Sequence, residues 1–314
     1  MRPMEVAPDQ PHPGGTTRRV ANGLARAACA VRWGIKTLRQ APREIRVDLR
    51  WRLGDEIMAL PIYQALRERH PQCRVSVLCN YPDLLRDNPY AAPADPHGPA
   101  PDRIIDLRSG PRHAYRLAHY ARLAGVPLPT ARPCLYYQDW HAPQLDDIGD
   151  RFVAVAAGAS WPTKRWPDTR WRAVCRTVQD LGYRVVELGH ADEQIGVGLS
   201  LAGRTSIREA ACVLHSARLL VTCDSGLMHL ALASGTPVLA LFGPTDPDIL
   251  IRNEPLLHVI RSTLECRGCW NHRKKPFTPG TCPESNERIA PGRTPCMEQI
   301  SAEEVLTTLC NLLR

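Results

Sequence analysis

Apolar residues along the chain fall into short continuous runs that alternate with stripes of helical spacing. Ile45–Leu49, Val75–Cys79 and Ile104–Leu107 read as strands, and residues 56–69 and 111–124 as helices. The pattern restarts at Phe152 with Val153–Ala156, helix 168–181, Arg184–Leu188, helix 206–216, Leu219–Thr222, helix 226–234, Val238–Phe242 and Leu257–Ile260. Strands alternating with helices predict an α/β fold with parallel sheets. Two doubly wound, Rossmann-like halves facing a cleft are the expected architecture, residues 44–150 and 151–314. Residues 88–102, with five prolines, form a loop in the first half, and 138–150 connect the two. Ligands of such folds bind where the carboxyl ends of strands meet helix N-termini.

Ahead of these halves, residues 1–43 form a basic leader with eight Lys/Arg against Glu5 and Asp9. Val20, Leu24, Ala27, Ala28, Val31, Ile35 and Leu38 recur at helical spacing with Arg19, Arg26, Arg32, Lys36 and Arg39 between them. This is either a solvated helix packed on the body or an interfacial helix drawn to an anionic membrane surface. Since the net charge of the whole chain is +8, the body is nearly balanced, which argues against nucleic-acid binding. With 314 residues, 44% apolar and 23% charged, wholesale disorder is excluded. The uncharged stretch from Ser225 to Thr245 is broken by Gly235-Thr236-Pro237 and makes a poor membrane span. The opening residues do not follow an export-signal pattern, so the expected location is cytoplasmic, peripheral if the leader meets the inner membrane face.

Three segments carry candidate chemistry. Arg52-Leu53-Gly54-Asp55 follows the first strand, with Gly54 allowing a sharp turn and Asp55 opening the next helix, either as its cap or as a general base for an acceptor hydroxyl. Gly158-Ala159-Ser160-Trp161-Pro162-Thr163-Lys164-Arg165-Trp166-Pro167 is neither a Walker loop nor a dinucleotide fingerprint, yet its cations suit a diphosphate leaving group. In Asp224-Ser225-Gly226-Leu227-Met228-His229, a strand feeds a helix whose first amides can meet phosphate oxygens. Asp224 is better suited to sugar hydroxyls or to capping, and His229 alone reads as a core histidine.

Together with Leu60-Pro61 and Phe242-Gly243-Pro244-Thr245, these segments resemble glycosyltransferase family 9, which contains the ADP-heptose:lipopolysaccharide heptosyltransferases. The resemblance covers about residues 45–314. It implies a GT-B fold, with acceptor on the first half, nucleotide sugar on the second, and inversion at the anomeric carbon. By the same resemblance Asp55 is the catalytic base and Lys164 meets the donor phosphates. Asp224 touches the donor sugar or nucleotide, and Ser225, Gly226 and His229 form the phosphate cradle. Adenine and ribose contacts are expected around Leu188–His190 and Gly203–Ser206. No cofactor is required for catalysis. The implied activity is transfer of a sugar, heptose from ADP-heptose, to a hydroxyl of a bacterial glycolipid such as lipopolysaccharide core. Alternatives are a protein acceptor and a sugar-nucleotide epimerase of GT-B shape.

Cys266-x2-Cys269-x12-Cys282-x13-Cys296 places four thiols in a segment with little apolar patterning, 266–296, where a structural metal or disulfides would supply order. The other eight cysteines read as small core residues. The run Cys266-x-Gly268-Cys269-Trp270-Asn271 resembles a cysteine-bearing branch of the family that includes autotransporter heptosyltransferases with a four-cysteine iron site; the ligand set suits zinc or iron. A basic four-cysteine nucleic-acid binder, using Arg267, Arg273, Lys274 and Lys275, is the rival outside enzymes.

Overall fold

Strand β1 (Glu44–Asp48) forms because Ile45 and Val47 alternate with polar residues and are fully buried. With β2 (Arg74–Leu78), β3 (Ala92–Pro93) and β4 (Arg103–Asp106) it makes a parallel sheet of order β3-β2-β1-β4, in which Ile45 lies opposite Val75 and Arg103. The computed structural model describes residues 42–108, 110–111, 113–272, 281–284, 287–288 and 290–314. The leader's helical stripe, Cys29, Arg273, Lys274 and Lys275 lie outside the described residues.

The helix expected over 56–69 is two helices, α1 (Leu53–Met58) and α2 (Leu60–Arg69). Pro61 sits in the first turn of α2 and has no N–H to continue the ladder of α1, so the chain restarts there. Helix 111–124 is shorter, α3 (Arg116–Ala124), closed by Gly125 at φ +69°. The proline-rich loop contributes the short strand β3, and the connector contains a single helical turn, α4 (Leu145–Ile148).

The second sheet holds β5 (Phe152–Ala156), β6 (Arg184–Glu187), β7 (Leu199–Ser200), β8 (Leu220–Cys223), β9 (Val238–Phe242) and β10 (Leu257–Arg261), all parallel, in the order β10-β9-β8-β5-β6-β7. Around it lie α5 (Asp168–Asp180), α6 (Ile207–Ser216), α7 (Gly226–Ala233) and α8 (Pro247–Leu250). The cysteine segment adds α9 (Cys269–His272), a two-stranded ribbon β11 (Thr281–Cys282) with β12 (Glu287–Arg288), and α10 (Pro295–Gln299). A last helix, α11 (Ala302–Leu313), absent from the sequence-based expectation, starts at Ser301, whose hydroxyl accepts the Glu304 N–H at 3.1 Å.

Continuous apolar runs in β5 and β9 are buried throughout, as a sheet covered on both faces requires. Val153, Val155, Leu239 and Leu241 pack with Trp166, Trp171 and α11. Phe152, Ala154, Ala156, Val238 and Phe242 face the opposite way, into a core that continues through α6 and α7 into the first half, where it includes Ile45, Ile57 and Leu66. Just ahead of the connector, the Leu135 N–H donates to the Ala233 carbonyl at 3.1 Å and ties that segment to α7. Of the eight cysteines assigned to the core, Cys73, Cys175, Cys212 and Cys223 are buried, Cys79 and Cys310 half-buried, and Cys134 exposed.

Candidate active site

Two helix N-termini, those of α1 and α7, meet where the halves join. Gly54 is not a turn glycine: it lies in the first turn of α1, without a positive φ. A Cβ there would come within 2.7 Å of His229 Cδ2, so glycine is required because the imidazole rests on the backbone. The contact is reciprocal, since a Cβ on Gly226 would meet Leu53 Cδ2 at 3.0 Å.

Asp55 does not cap α1, whose N-cap is Arg52. Its side chain is 15% exposed, 3.7 Å from Arg116 Nε, and accepts the Tyr120 hydroxyl at 3.2 Å. Burial raises its carboxyl above the ordinary value, opposed by Arg116, the Tyr120 hydrogen bond, Arg52 and Lys164. Next to it, buried Glu56 accepts the N–H groups of Trp51, Asn80 and Tyr81 and so ties the start of α1 to the loop after β2.

On the other side, Lys164 Nζ lies 2.6 Å from Asp224 Oδ2, and the Thr245 hydroxyl donates to the same oxygen at 2.7 Å. Burial alone would raise the Asp224 carboxyl; Lys164, His229 and Thr245 hold it below the ordinary value. Burial pushes His229 down to about 4, so it is a neutral imidazole. Ser225 is the N-cap of α7, its hydroxyl accepting the Met228 N–H at 3.4 Å and lying 3.2 Å from Thr222 Oγ1. The structure thus brings Asp55, Lys164, Asp224, Ser225, Gly226 and His229 to one locality, with Leu53 covering Gly226.

Four further residues, Thr245 and Trp161 inside the quoted motifs and Glu193 and Glu187 outside them, were given no role by the sequence. Thr245 pins Asp224. Trp161 lies under both Lys164 Nζ, 4.3 Å from its ring centroid, and Arg52, at 5.3 Å. Glu193 pairs with Arg165 at 3.0 Å and lies over Gly158, where its carboxylate fills the place a Cβ would take. Glu187 accepts four N–H groups, those of residues 195–198, and so fixes the loop after β6. The segments expected to meet adenine and ribose are neighbours, joined by the Gly203 N–H donating to the Gly189 carbonyl at 2.8 Å.

A cavity of about 360 Å³ opens between the halves, walled by Ile57, Met58, Tyr115, His229 and Leu232 among others. Asp55, Lys164 and Asp224 do not line it; Lys164 is paired with Asp224, and Asp55 with Arg116 and Tyr120. Elsewhere Cys266, Cys269, Cys282 and Cys296 all line one cavity of about 20 Å³, together with Thr163 and Pro244. Burial, then the proximity of Cys269, Cys266 and Cys282, pushes the Cys296 thiol up to about 12. Although they share that cavity, the sulfurs are not drawn into a ligand cage: among the described residues no three His, Cys, Asp or Glu side chains converge at metal-binding geometry.

The profile of glycosyltransferase family 9 (heptosyltransferase) matches residues 114–277, just over half of the chain. Lipopolysaccharide heptosyltransferase 2 of Escherichia coli K12 is 35% identical over 124 residues, 35% of each chain. Lipopolysaccharide heptosyltransferase 1 of Pseudomonas aeruginosa PAO1 is 37% identical over 110 residues, 32% of this chain and 31% of that one. The matched stretch thus spans about a third of the length of these relatives. Among solved structures, the iron-containing dodecameric glycosyltransferase TibC from enterotoxigenic E. coli H10407 superposes with a TM-score of 0.73 at 20% identity, over 87% of this chain and 79% of that one. The E. coli ADP-heptose lps heptosyltransferase II gives 0.58 at 21%, over 86% and 98%. The fold is GT-B, and the chain belongs to glycosyltransferase family 9.

Proposed function

We propose that the chain is an inverting glycosyltransferase that moves heptose from ADP-heptose to a hydroxyl of a bacterial glycolipid such as lipopolysaccharide core. The observation that carries this reading is the juxtaposition of a carboxylate of raised proton affinity, Asp55, with the Lys164–Asp224 pair at the N-terminus of α7. Asp55 takes the proton of the acceptor hydroxyl as its oxygen attacks the anomeric carbon; the bond to the diphosphate breaks on the opposite face, inverting that carbon. Lys164 and the first amides of α7 meet the charge that develops on the leaving ADP. Residues 44–150 hold the acceptor and 151–314 the donor. Family membership and the likeness to TibC, a structure of which holds ADP-D-β-D-heptose, support the donor.

A protein hydroxyl is the second reading of the acceptor, favoured by the likeness to iron-containing TibC together with the thiol-lined cavity. Cys266, Cys269, Cys282 and Cys296 fit zinc or iron by donor chemistry, and such an ion would order the segment; catalysis itself is assigned to side chains and the α7 amides. No helix among the described residues is long and apolar enough to cross a membrane. We assign the enzyme's work to the cytoplasm, peripheral to the inner membrane face if the basic leader meets it.

Mass spectrometry of the protein incubated with a panel of nucleotide sugars, with truncated lipopolysaccharide or with peptide, tests the reading. Acceptor gaining one heptose supports it. Conversion of the donor sugar without any acceptor would identify an epimerase instead. Elemental analysis of protein purified without a metal-affinity tag tests the ion.

A further inference from the structure

The segment that carries the cysteines is built against both loops of the donor seat. The turn 243–246 is hydrogen-bonded along its length by residues 268–272. Gly268 N–H donates to the Gly243 carbonyl and Trp270 N–H to the Pro244 carbonyl, each at 2.9 Å. Asp246 N–H donates to Asn271 Oδ1 at 2.9 Å, and His272 Nε2 lies 2.6 Å from Asp246 Oδ2. Thr245, within this turn, is the residue that donates to Asp224.

The second loop is held by aromatic contact. Trp270 meets Trp161 in an edge-on arrangement, centroids 4.4 Å apart and planes at 66°. Trp161 is 7% exposed, and its indole N–H finds no acceptor among the described residues. Its orientation is therefore set by what touches its faces and edge rather than by a hydrogen bond. One of those contacts is the Lys164 ammonium, which lies over the ring while pairing with Asp224.

We propose that Trp270 is a positioning residue for the donor: its ring holds Trp161, which holds Lys164 where a nucleoside diphosphate meets it. This rests on the reading of Lys164 as the contact for donor phosphates. Loss of the edge contact lets Trp161 rotate, and the lysine then spends part of its time away from the phosphate position.

The test uses the full chain and ADP as the probe in isothermal titration calorimetry. Trp270→Leu keeps an apolar side chain but removes the aromatic edge, and should weaken ADP binding about tenfold. Trp270→Phe restores an aromatic ring and should bind within about twofold of the wild type. The KM for donor rises in Trp270→Leu while the KM for acceptor stays, with metal content and melting temperature measured as controls. Wild-type binding with equal affinity in Trp270→Leu overturns the coupling alone. Trp270→Phe as weak as Trp270→Leu also overturns it, because the aromatic contact would not be what matters. A wild-type chain that does not bind ADP overturns the donor seat, and this inference with it.

Discussion

The Lys164–Asp224 pair is where structure and proposed chemistry can be tested on the same atoms. At 2.6 Å, with side chains 13% and 6% exposed, it is close to fully desolvated. Removing one member of a buried pair leaves an uncompensated charge and costs about 3–5 kcal/mol, whereas replacing both leaves none. Lys164→Met should therefore lower stability by about 3–5 kcal/mol, which at about 2–4 °C per kcal/mol is a fall in Tm on the order of 10 °C. Adding Asp224→Asn to Lys164→Met should recover much of that loss, so the two changes are strongly non-additive in a double-mutant cycle. Because the Asp224 carboxyl is held below 3.8 in the folded chain, its stabilisation is present above that value and lost as pH falls through the lower folded one. The cycle should flatten in strong acid. For the donor, Lys164→Met removes a charge-assisted contact of about 1.5–3 kcal/mol and weakens ADP about 10- to 100-fold. Asp224→Asn frees the ammonium and should bind ADP at least as well as wild type, while losing affinity for the complete nucleotide sugar. Thermal melts and calorimetry on the four proteins read all of this. An additive cycle, or unchanged ADP affinity in Lys164→Met, would refute the reasoning.

Asp55→Asn should abolish turnover and leave ADP binding intact. It should also raise Tm at pH 7, because protonated Asp55 is favoured by the fold below 3.8 and that advantage is lost as pH rises through its raised value. A less stable Asp55→Asn would contradict the burial cost assigned to the carboxylate. His229, neutral down to about 4, should cost the wild type about 3 kcal/mol of stability as pH falls from 6.5, since the unfolded chain takes up a proton that the folded one refuses. Denaturant melts at pH 7 and 4.5 should show that loss, and His229→Gln should lack it. Gly54→Ala places a methyl group 2.7 Å from the His229 ring and should destabilise by about 1–3 kcal/mol, measured by the same melts, with the two halves forced apart.

Local order along the chain was legible from residue pattern alone. Short, fully apolar runs such as Phe152–Ala156 and Val238–Phe242, too short for helices and alternating with helical stripes, read as strands of a parallel sheet covered on both faces. The motif residues were legible too, since Asp55, Lys164 and the Asp224–His229 run stand at strand-to-helix junctions. What they touch was decided by tertiary packing. Gly54 looked like a turn and is instead the seat of a ring from 175 residues away; no local pattern encodes that contact, because the partner arrives only when α1 docks on α7. Thr245, Trp161 and Trp270 took their roles in the same way, from loops that follow different strands and meet at the carboxyl ends of the sheet. Periodicity reports which face of an element avoids water, a local property of side-chain solvation. Which charge neutralises which, and which ring leans on which, depends on the relative placement of whole elements, and that is set only once the shared core between the halves closes.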